Sequence, residues 1–196
     1  KTKLGDYMEL ELLFQEEKKD VVSEWAKDVP LVARGKVVTA YLMSEIYEPE
    51  VYSELCYTLE HTSADYVRLV MNNGGGQLDS MLSIIDAIKR SNATVVAVLS
   101  GTVASAATMI ALACDEVEVA DYTSWLTHYY SGGSAGKGNE IKAKHLFDEV
   151  EIPKMFKELH KGFFTEAEIE RVIDGKDEWL NKEQILERFA NMKGVK

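Results

Sequence analysis

The middle of the chain joins a fully apolar run to an alanine-rich one. Residues 95–99 are apolar at every position, which is typical of a strand buried on both faces, and residues 104–114 are almost all small or apolar. A helix that is apolar all round is buried. The pattern therefore predicts a strand over 94–99 that leads through Gly101 into a buried central helix beginning at Ser105.

On either side of this stretch, strand-like and helix-like patterns alternate. Short β-branched or aromatic runs predict strands, and apolar residues at three- and four-residue steps predict helices. Because helical crossovers keep successive strands parallel, the alternation predicts an α/β fold. The expected strands are 37–42, 66–71, 94–99, 116–120 and 125–129, and the expected helices outside the central one run from 49 to about 61 and from 78 to 88.

The pattern changes after residue 130. A small, flexible stretch over 131–138 precedes a long charged helix from about Asn139 to His160, whose patchy apolar stripe is broken at Pro153. Such a helix is expected to project from the body of the protein. Two capping-box spacings then predict short helices at 166–173 and 182–190, with an acidic turn over 174–179 between them.

Composition favours one globular domain. The 196 residues are 46% hydrophobic and 28% charged, which suits a chain with a sizeable core. Residues 6–28 mix apolar and charged positions without a period, so we expect a mobile or interface-forming N-terminal segment over 1–35 and one domain over 36–196. The long helix and the loop before it form a distinct region of that domain, at about 130–160.

Charge and cysteine content exclude several classes of function. A formal net charge of −11 disfavours nucleic acid and anionic membranes as partners. Cys56 and Cys114 are far apart and flanked by apolar residues, so neither a disulfide framework nor a metal site is expected. The hydroxyl groups within residues 94–114 argue against a membrane span, and no basic-then-apolar leader is visible. We therefore expect a cytoplasmic protein without a metal or other cofactor.

Ser105 at the start of the central helix has two interpretations. Serine is favoured at helix N-termini because its side chain can cap a backbone N–H group. A serine on a tight strand-to-helix turn can also act as a nucleophile, since free N–H groups and the positive end of the helix dipole stabilise an oxyanion beside it. The stretch by itself leaves both open.

A serine nucleophile requires a base, and the chain has four histidines. His128 stands at the end of a predicted strand and before a loop of small residues, where the sites of α/β proteins collect. A purely structural role for His128 is equally compatible with the pattern. The other three are expected to be exposed polar residues, because they end a helix or lie among lysines and glutamates: His61, His145 and His160.

The glycine run at 74–76 follows a predicted strand. It lacks the spacing of a dinucleotide loop and the Lys-Ser/Thr pair of a phosphate-binding loop, so nucleotide binding is not expected. Two uses remain, which are a tight turn with positive φ and the donation of backbone N–H groups to an oxyanion.

Taken in order, five short blocks resemble the proteolytic subunit of the Clp protease, whose blocks read N-S-P-G-G, G-x-A-A-S-M, M-I-H, G-G-x-x-G and D-x-F-L. The similarity covers roughly residues 36–190. The corresponding blocks here are NNGGG at 72–76, GTVASA at 101–106, LTH at 126–128, GGSAG at 132–136 and DEWL at 177–180.

The resemblance implies a crotonase-like α/β superhelix of repeated strand-helix units, with the charged helix as a projecting handle through which stacked rings meet. It implies a self-compartmentalising serine peptidase that cleaves unfolded polypeptides or peptides, with a possible AAA+ unfoldase as partner. The implied roles are nucleophile for Ser105, general base for His128 and orienting carboxylate for Asp177, with the oxyanion hole formed by backbone amides of Ala106 and of Gly75 or Gly76.

The chain also departs from the family pattern. Gly74 replaces proline, and Tyr129 with Tyr130 replaces Gln-Pro after the histidine, which alters the substrate-binding edge but spares the triad. Asp174 stands three residues before Asp177 and remains an alternative third member. Divergence of this degree resembles phage-encoded members, which would place the protein in a host cytoplasm. Two other functions stay open, namely an inactive ring or scaffold subunit and a crotonase-type acyl-CoA enzyme.

Overall fold

The computed structural model describes residues 29–133 and 135–193, and the behaviour predicted for residues 6–28 lies outside them. The strands are β1 (Leu31–Arg34), β2 (Val37–Ile46), β3 (Tyr66–Gly76), β4 (Thr94–Ala104), β5 (Glu116–Val119), β6 (Ser124–Thr127) and β7 (Glu178–Leu180). The α-helices are α1 (Ser53–His61), α2 (Leu78–Arg90), α3 (Ala106–Ala113), α4 (Gly138–His160), α5 (Glu166–Ile173) and α6 (Lys182–Lys193), and a 3₁₀ turn, Pro49–Tyr52, precedes α1.

The described strands form one seven-stranded sheet in the order β1-β2-β3-β4-β6-β7, with β5 also paired to β4. Strands β2 to β6 are parallel to their neighbours, whereas β1 and β7 pair antiparallel at the two edges. The predicted α/β architecture is confirmed. Because parallel strands end at a common edge, the loops that follow β3, β4 and β6 meet there.

The core lies between the sheet and the helices that cross it. Strands β2 and β3 bury alternate side chains, β4 buries three in succession at 95–97, and α2 buries one face against the sheet. Helix α3 is buried from Ala106 to Leu112, as its apolar sequence predicts. Removing these side chains from water is the dominant favourable contribution to folding. Completely buried members of the core include Leu69, Ile84, Leu99 and Ile110.

Three strands are longer than their apolar runs, and two were not predicted. Strands β2, β3 and β4 continue through polar and glycine positions to Ile46, Gly76 and Ala104, because neighbouring strands pair with that backbone. Strand β1 falls in the N-terminal segment over 1–35, which we expected to be mobile or to form an interface. The stretch 178–180, expected as part of a turn, is β7, because pairing with β6 overrides its acidic sequence.

Helix α4 projects for most of its length, as expected from its charged sequence. Its interior Pro153 does not end it, and the helix runs unbroken to His160. Proline removes one backbone hydrogen bond, to the carbonyl four residues earlier, and here that carbonyl belongs to the exposed Glu149, where water can satisfy it. Only the C-terminal part of the helix enters the core, through Ile152, Phe156 and His160.

The last two helices start at the predicted capping boxes. The Thr165 hydroxyl accepts from the Glu168 amide and the Glu168 carboxylate accepts from the Thr165 amide; Asn181 and Gln184 exchange the equivalent bonds. Glu168 also accepts two hydrogen bonds from Arg188 of α6, at 2.7 and 3.1 Å. This pairing joins α5 to α6. No helix in the described part of the chain has the length and apolar character needed to cross a membrane.

Candidate active site

Ser105 occupies a strained joint between β4 and α3. Its backbone has φ 55° and ψ −128°, a region that residues other than glycine rarely adopt. Such a conformation costs on the order of 1–3 kcal/mol and persists only where the surrounding structure enforces it. Here the Ser105 amide donates to the Leu126 carbonyl at 2.9 Å, which holds the joint against β6. The geometry is that of a sharp strand-to-helix turn that presents a serine side chain.

The Ser105 side chain does not cap the helix, although the residue occupies the N-cap position. The nearby hydroxyl of Thr108 donates instead to the Ser105 carbonyl at 2.6 Å. The capping interpretation of Ser105 therefore finds no support in the hydrogen bonds. The amide of Ala106, the first residue of α3, has no acceptor within the helix, as at any helix N-terminus, whereas the Thr108 amide donates to the Ser105 carbonyl at 2.9 Å.

The register of the sheet brings the ends of β4 and β6 together. Ala104 pairs with Leu126, so Ser105 and His128 both follow immediately after the ends of adjacent parallel strands. His128 is half-buried. Sequence reasoning predicted that the two residues share the carboxyl edge of the sheet, and the strand pairing agrees with this.

Asp177 lies next to the end of β6 on its other side. Strand β7 pairs antiparallel with β6, and Thr127 is opposite Glu178. Continuing this register by one residue puts Asp177 opposite His128. Asp174, the alternative third member, instead follows the C-terminus of α5, where its amide donates to the Glu170 carbonyl. Both carboxylates are exposed.

The imidazole of His128 has a main-chain carbonyl, and not the Asp177 carboxylate, as its hydrogen-bond partner. Its Nδ1 lies 2.6 Å from the main-chain carbonyl oxygen of Tyr129. Among the described residues, no hydrogen bond links the side chains of Ser105, His128 and Asp177 to one another. Catalytic hydrogen bonds are often long or absent without substrate, so their absence does not remove these residues as candidates.

The glycine run approaches Ser105 closely. A Cβ atom on Gly75 would lie 2.5 Å from the Ser105 Cβ and 2.9 Å from the Ala106 nitrogen. The C-terminal end of β3 is therefore close to the start of α3. The Gly75 amide donates to Oδ1 of Asn73 at 2.8 Å. Of the two glycine amides expected to bind an oxyanion, that of Gly75 is therefore already engaged. Gly76 has φ 145° and packs against the Ile46 backbone.

Two asparagines at this end of β3, Asn72 and Asn73, make contacts near the glycine run. They were not among the predicted site residues. Asn72 accepts from the Thr102 amide through Oδ1, which ties the end of β3 to β4. Asn73 is 1% exposed, and its Nδ2 has no hydrogen-bond partner among the described residues. An asparagine two residues before a glycine in a turn commonly accepts from that backbone amide, and this spacing is the signal that could have identified Asn73.

The other histidines lie away from this edge. His61 and His145 are exposed as expected. The expectation for His160 was wrong, because it is completely buried at the end of α4, stacked 4.1 Å from Phe156. Burial lowers the pKa of His160 to about 4, and its Nε2 has no partner in the described residues.

A comparison with known protein families shows which family the chain belongs to. The sequence profile of the Clp protease family matches residues 27–187, a span that includes the strands of the described residues and the candidate residues Ser105, His128 and Asp177. The chain belongs to the Clp protease family. Its α/β architecture agrees with the crotonase-like fold of that family. No curated protein matches the chain at a significant level.

Membership of the Clp protease family supports a peptidase, that is, a hydrolase of peptide bonds, and the family is of serine type. Within the described residues, no group of three or more His, Cys, Asp or Glu side chains could hold a metal ion. Cys114 is buried and Cys56 half-buried, at separate places in the fold.

Proposed function

We propose that this protein is a serine endopeptidase that uses Ser105 as nucleophile, His128 as general base and Asp177 as the carboxylate that supports the histidine. The observation that carries the proposal is the strained backbone of Ser105 at the joint of β4 and α3, with no capping hydrogen bond from its side chain. Strain of this kind collects at functional sites. Family membership supports the same chemistry.

In the proposed reaction, the Ser105 Oγ attacks the carbonyl carbon of the scissile peptide while its proton passes to Nε2 of His128. The protonated imidazole then gives that proton to the nitrogen of the leaving amine as the C–N bond breaks. Water then attacks the ester carbonyl of the acyl-enzyme while His128 takes a proton from it, and the imidazole returns that proton to the Ser105 Oγ as the ester C–O bond breaks. Asp177 stabilises the positive imidazole. We favour it over Asp174, because the extended register of β6 and β7 supports a position opposite His128.

The negative oxygen of the tetrahedral intermediate requires backbone donors. We propose the amide of Ala106 and a glycine amide of residues 74–76 for this role. Gly76 is the better candidate in the observed conformation, since the Gly75 amide donates to Asn73. Gly75 could serve only after that bond breaks. Each such donor is worth roughly 2.7–4 kcal/mol in the transition state.

Assembly into rings is the second part of the proposal. Helix α4 leaves three large apolar side chains largely in water, with Leu146 at 55%, Phe147 at 63% and Val150 at 64% exposure. They lie on neighbouring turns of one helix face. Exposed apolar patches mark interaction surfaces, and we propose a second copy of this chain as the partner that covers this one. An unfoldase partner and a phage origin remain predictions from the resemblance, and a cytoplasmic location remains a prediction from the sequence composition.

His128 is hydrogen-bonded to the Tyr129 carbonyl and not to Asp177. This arrangement favours one alternative function. A ring subunit whose triad never aligns would be an inactive scaffold for an active partner. This alternative predicts an assembled protein whose serine does not react.

The test is the intact mass of the assembled protein after treatment with a fluorophosphonate. The proposal expects a single adduct that is lost in Ser105→Ala and in His128→Ala. Ser100→Ala is a matched control, because Ser100 is a half-buried serine of β4, the strand that leads to Ser105. Its adduct should be unchanged. An assembled ring without an adduct would contradict the peptidase and leave the scaffold.

A further inference from the structure

The contact between His128 and Tyr129 determines which nitrogen of the imidazole carries a proton. A carbonyl oxygen can only accept a hydrogen bond. With Nδ1 of His128 at 2.6 Å from the Tyr129 oxygen, the hydrogen must therefore be on Nδ1. In the neutral ring, Nε2 is then unprotonated and has a free lone pair. A general base that takes a proton through Nε2 needs this tautomer.

The ring of Tyr129 packs against helix α4. That ring meets Phe156 edge to face, with centroids 5.6 Å apart and an interplanar angle of 83°. Phe156 belongs to the buried end of α4 and is 2% exposed. The Tyr129 ring is itself partly withdrawn from water, and burial raises the pKa of its hydroxyl. Packing of this kind restricts the backbone of residues 128 and 129.

The Asp177 carboxylate does not occupy this position. It is exposed and makes no hydrogen bond to His128, although the strand register puts the two residues opposite each other. In a triad, the carboxylate both selects the tautomer and stabilises the charged imidazole. In this chain, the first of those tasks is already performed by a main-chain carbonyl.

We propose that Tyr129 is a positioning residue for His128, whose carbonyl selects the Nδ1–H tautomer and whose ring, packed on Phe156, keeps that carbonyl in place. The proposal rests on the proposed function for its catalytic consequence, but the tautomer itself is a property of the folded protein. It gives a role to a residue at which this chain departs from the family pattern.

The direct test is the ¹⁵N NMR spectrum of protein labelled at histidine, with the His128 signals assigned from a His128→Gln variant. At a pH where the ring is neutral, we expect the Nδ1–H tautomer for His128. Tyr129→Ala should move it towards the Nε2–H form, and Tyr129→Phe should retain it, because the phenylalanine ring can still pack on Phe156. A wild-type protein with the Nε2–H tautomer would overturn the proposal.

The kinetic test follows the rate of fluorophosphonate reaction at Ser105. We expect Tyr129→Ala to lower the rate at least about tenfold, a part of the roughly 10²–10⁴-fold that general base catalysis contributes, and Tyr129→Phe to restore it. Tyr66→Ala is the control, since Tyr66 is an exposed tyrosine at the start of β3 and no ring contact of it is found among the described residues. Equal losses in Tyr129→Ala and Tyr66→Ala would count against a specific role for Tyr129.

The two tests separate this inference from the proposed function. If wild-type Ser105 does not react, the peptidase proposal fails while the NMR spectrum still decides the tautomer. If Ser105 reacts and the tautomer is Nε2–H, the peptidase proposal stands and the role of Tyr129 is lost. Circular dichroism and thermal unfolding of each variant show whether a change arises from loss of the fold instead.

Discussion

Gly75 leaves room for the Cβ atom of Ser105, and a side chain on the glycine would occupy the space of the serine. A Cβ atom there would lie 2.5 Å from the Ser105 Cβ and 2.7 Å from the Ala104 carbonyl oxygen. Backbone on one side and a residue with a strained conformation on the other leave little freedom to adjust. The C-terminal end of β3 is therefore part of what holds Ser105 in its positive-φ conformation.

Gly75→Ala should destabilise the fold and abolish the reactivity of Ser105. Gly75 also has φ 91°, which alanine adopts only with strain. We expect the contact to lower the free energy of unfolding by about 1–3 kcal/mol beyond the backbone strain, as other overpacking substitutions do. Chemical denaturation measures the free energy of unfolding, and fluorophosphonate labelling measures the reactivity of Ser105.

Gly175→Ala isolates the backbone strain. Gly175 has nearly the same φ, 93°, but an added Cβ would meet no atom within 4 Å. Gly175→Ala should therefore lower the free energy of unfolding by only about 1 kcal/mol. Equal losses of stability in the two variants would show that the contact between Gly75 and Ser105 is unimportant.

Substitution of Asp177 should distinguish it from Asp174. Asp177→Asn removes the charge that supports the protonated His128. If the Tyr129 carbonyl holds the tautomer, the rate should fall only about 10- to 100-fold, less than the ~10⁴-fold loss seen where asparagine imposes the wrong tautomer. Asp174→Asn should leave the rate unchanged. Peptide hydrolysis or fluorophosphonate labelling of both variants supplies the comparison, and a larger loss in Asp174→Asn would reverse the assignment.

The exposed face of α4 should control assembly. Phe147→Glu puts a charge at the centre of the apolar patch, where burial against a second copy would leave it without water. We expect smaller particles in analytical ultracentrifugation with unchanged secondary structure. Lys36→Gln changes the net charge by the same amount outside α4, in the turn between β1 and β2, where Lys36 pairs with Asp65. Its particle size should match the wild type; a Phe147→Glu protein of wild-type size would argue that this face is not the interface.

Stability should fall in acid because His160 is buried without charge. Its pKa is about 4 in the folded protein, below the value of 6.5 for an unperturbed histidine, so the unfolded chain binds the proton more readily. The stabilisation is complete above pH 6.5 and is lost as the pH falls towards 4. A shift of this size corresponds to about 3 kcal/mol.

His160→Phe should flatten the stability profile between pH 6.5 and 4.5, since phenylalanine suits the aromatic neighbours and does not titrate. Below that window a second group contributes. Hydrogen bonds from Arg188 lower the pKa of Glu168 to about 2, so its stabilisation is present above pH 4.5 and lost towards pH 2. Denaturant titrations at a series of pH values separate the two. A His160→Phe profile that still declines above pH 4.5 would assign the effect to another group.

Local sequence patterns predicted most elements because each carries its own signal. The buried helix α3 follows from its unbroken small and apolar residues, and α5 and α6 follow from their capping boxes. Strand β7 has no such signal. Its three residues, one of them the exposed Trp179, form a strand only because β6 provides a partner.

For the site, sequence by itself determined which residues to consider, since local patterns singled out Ser105, His128 and the glycine run, and the family resemblance added Asp177 with Asp174 as its alternative. Tertiary structure decided the contacts that spacing cannot encode. The φ of Ser105 depends on β6 and on Gly75, the partner of the His128 imidazole depends on how Tyr129 packs on α4, and the burial of His160 depends on aromatic rings around it. Each of these results from groups that meet only after the chain has folded, so the local pattern of polar and apolar residues does not contain them.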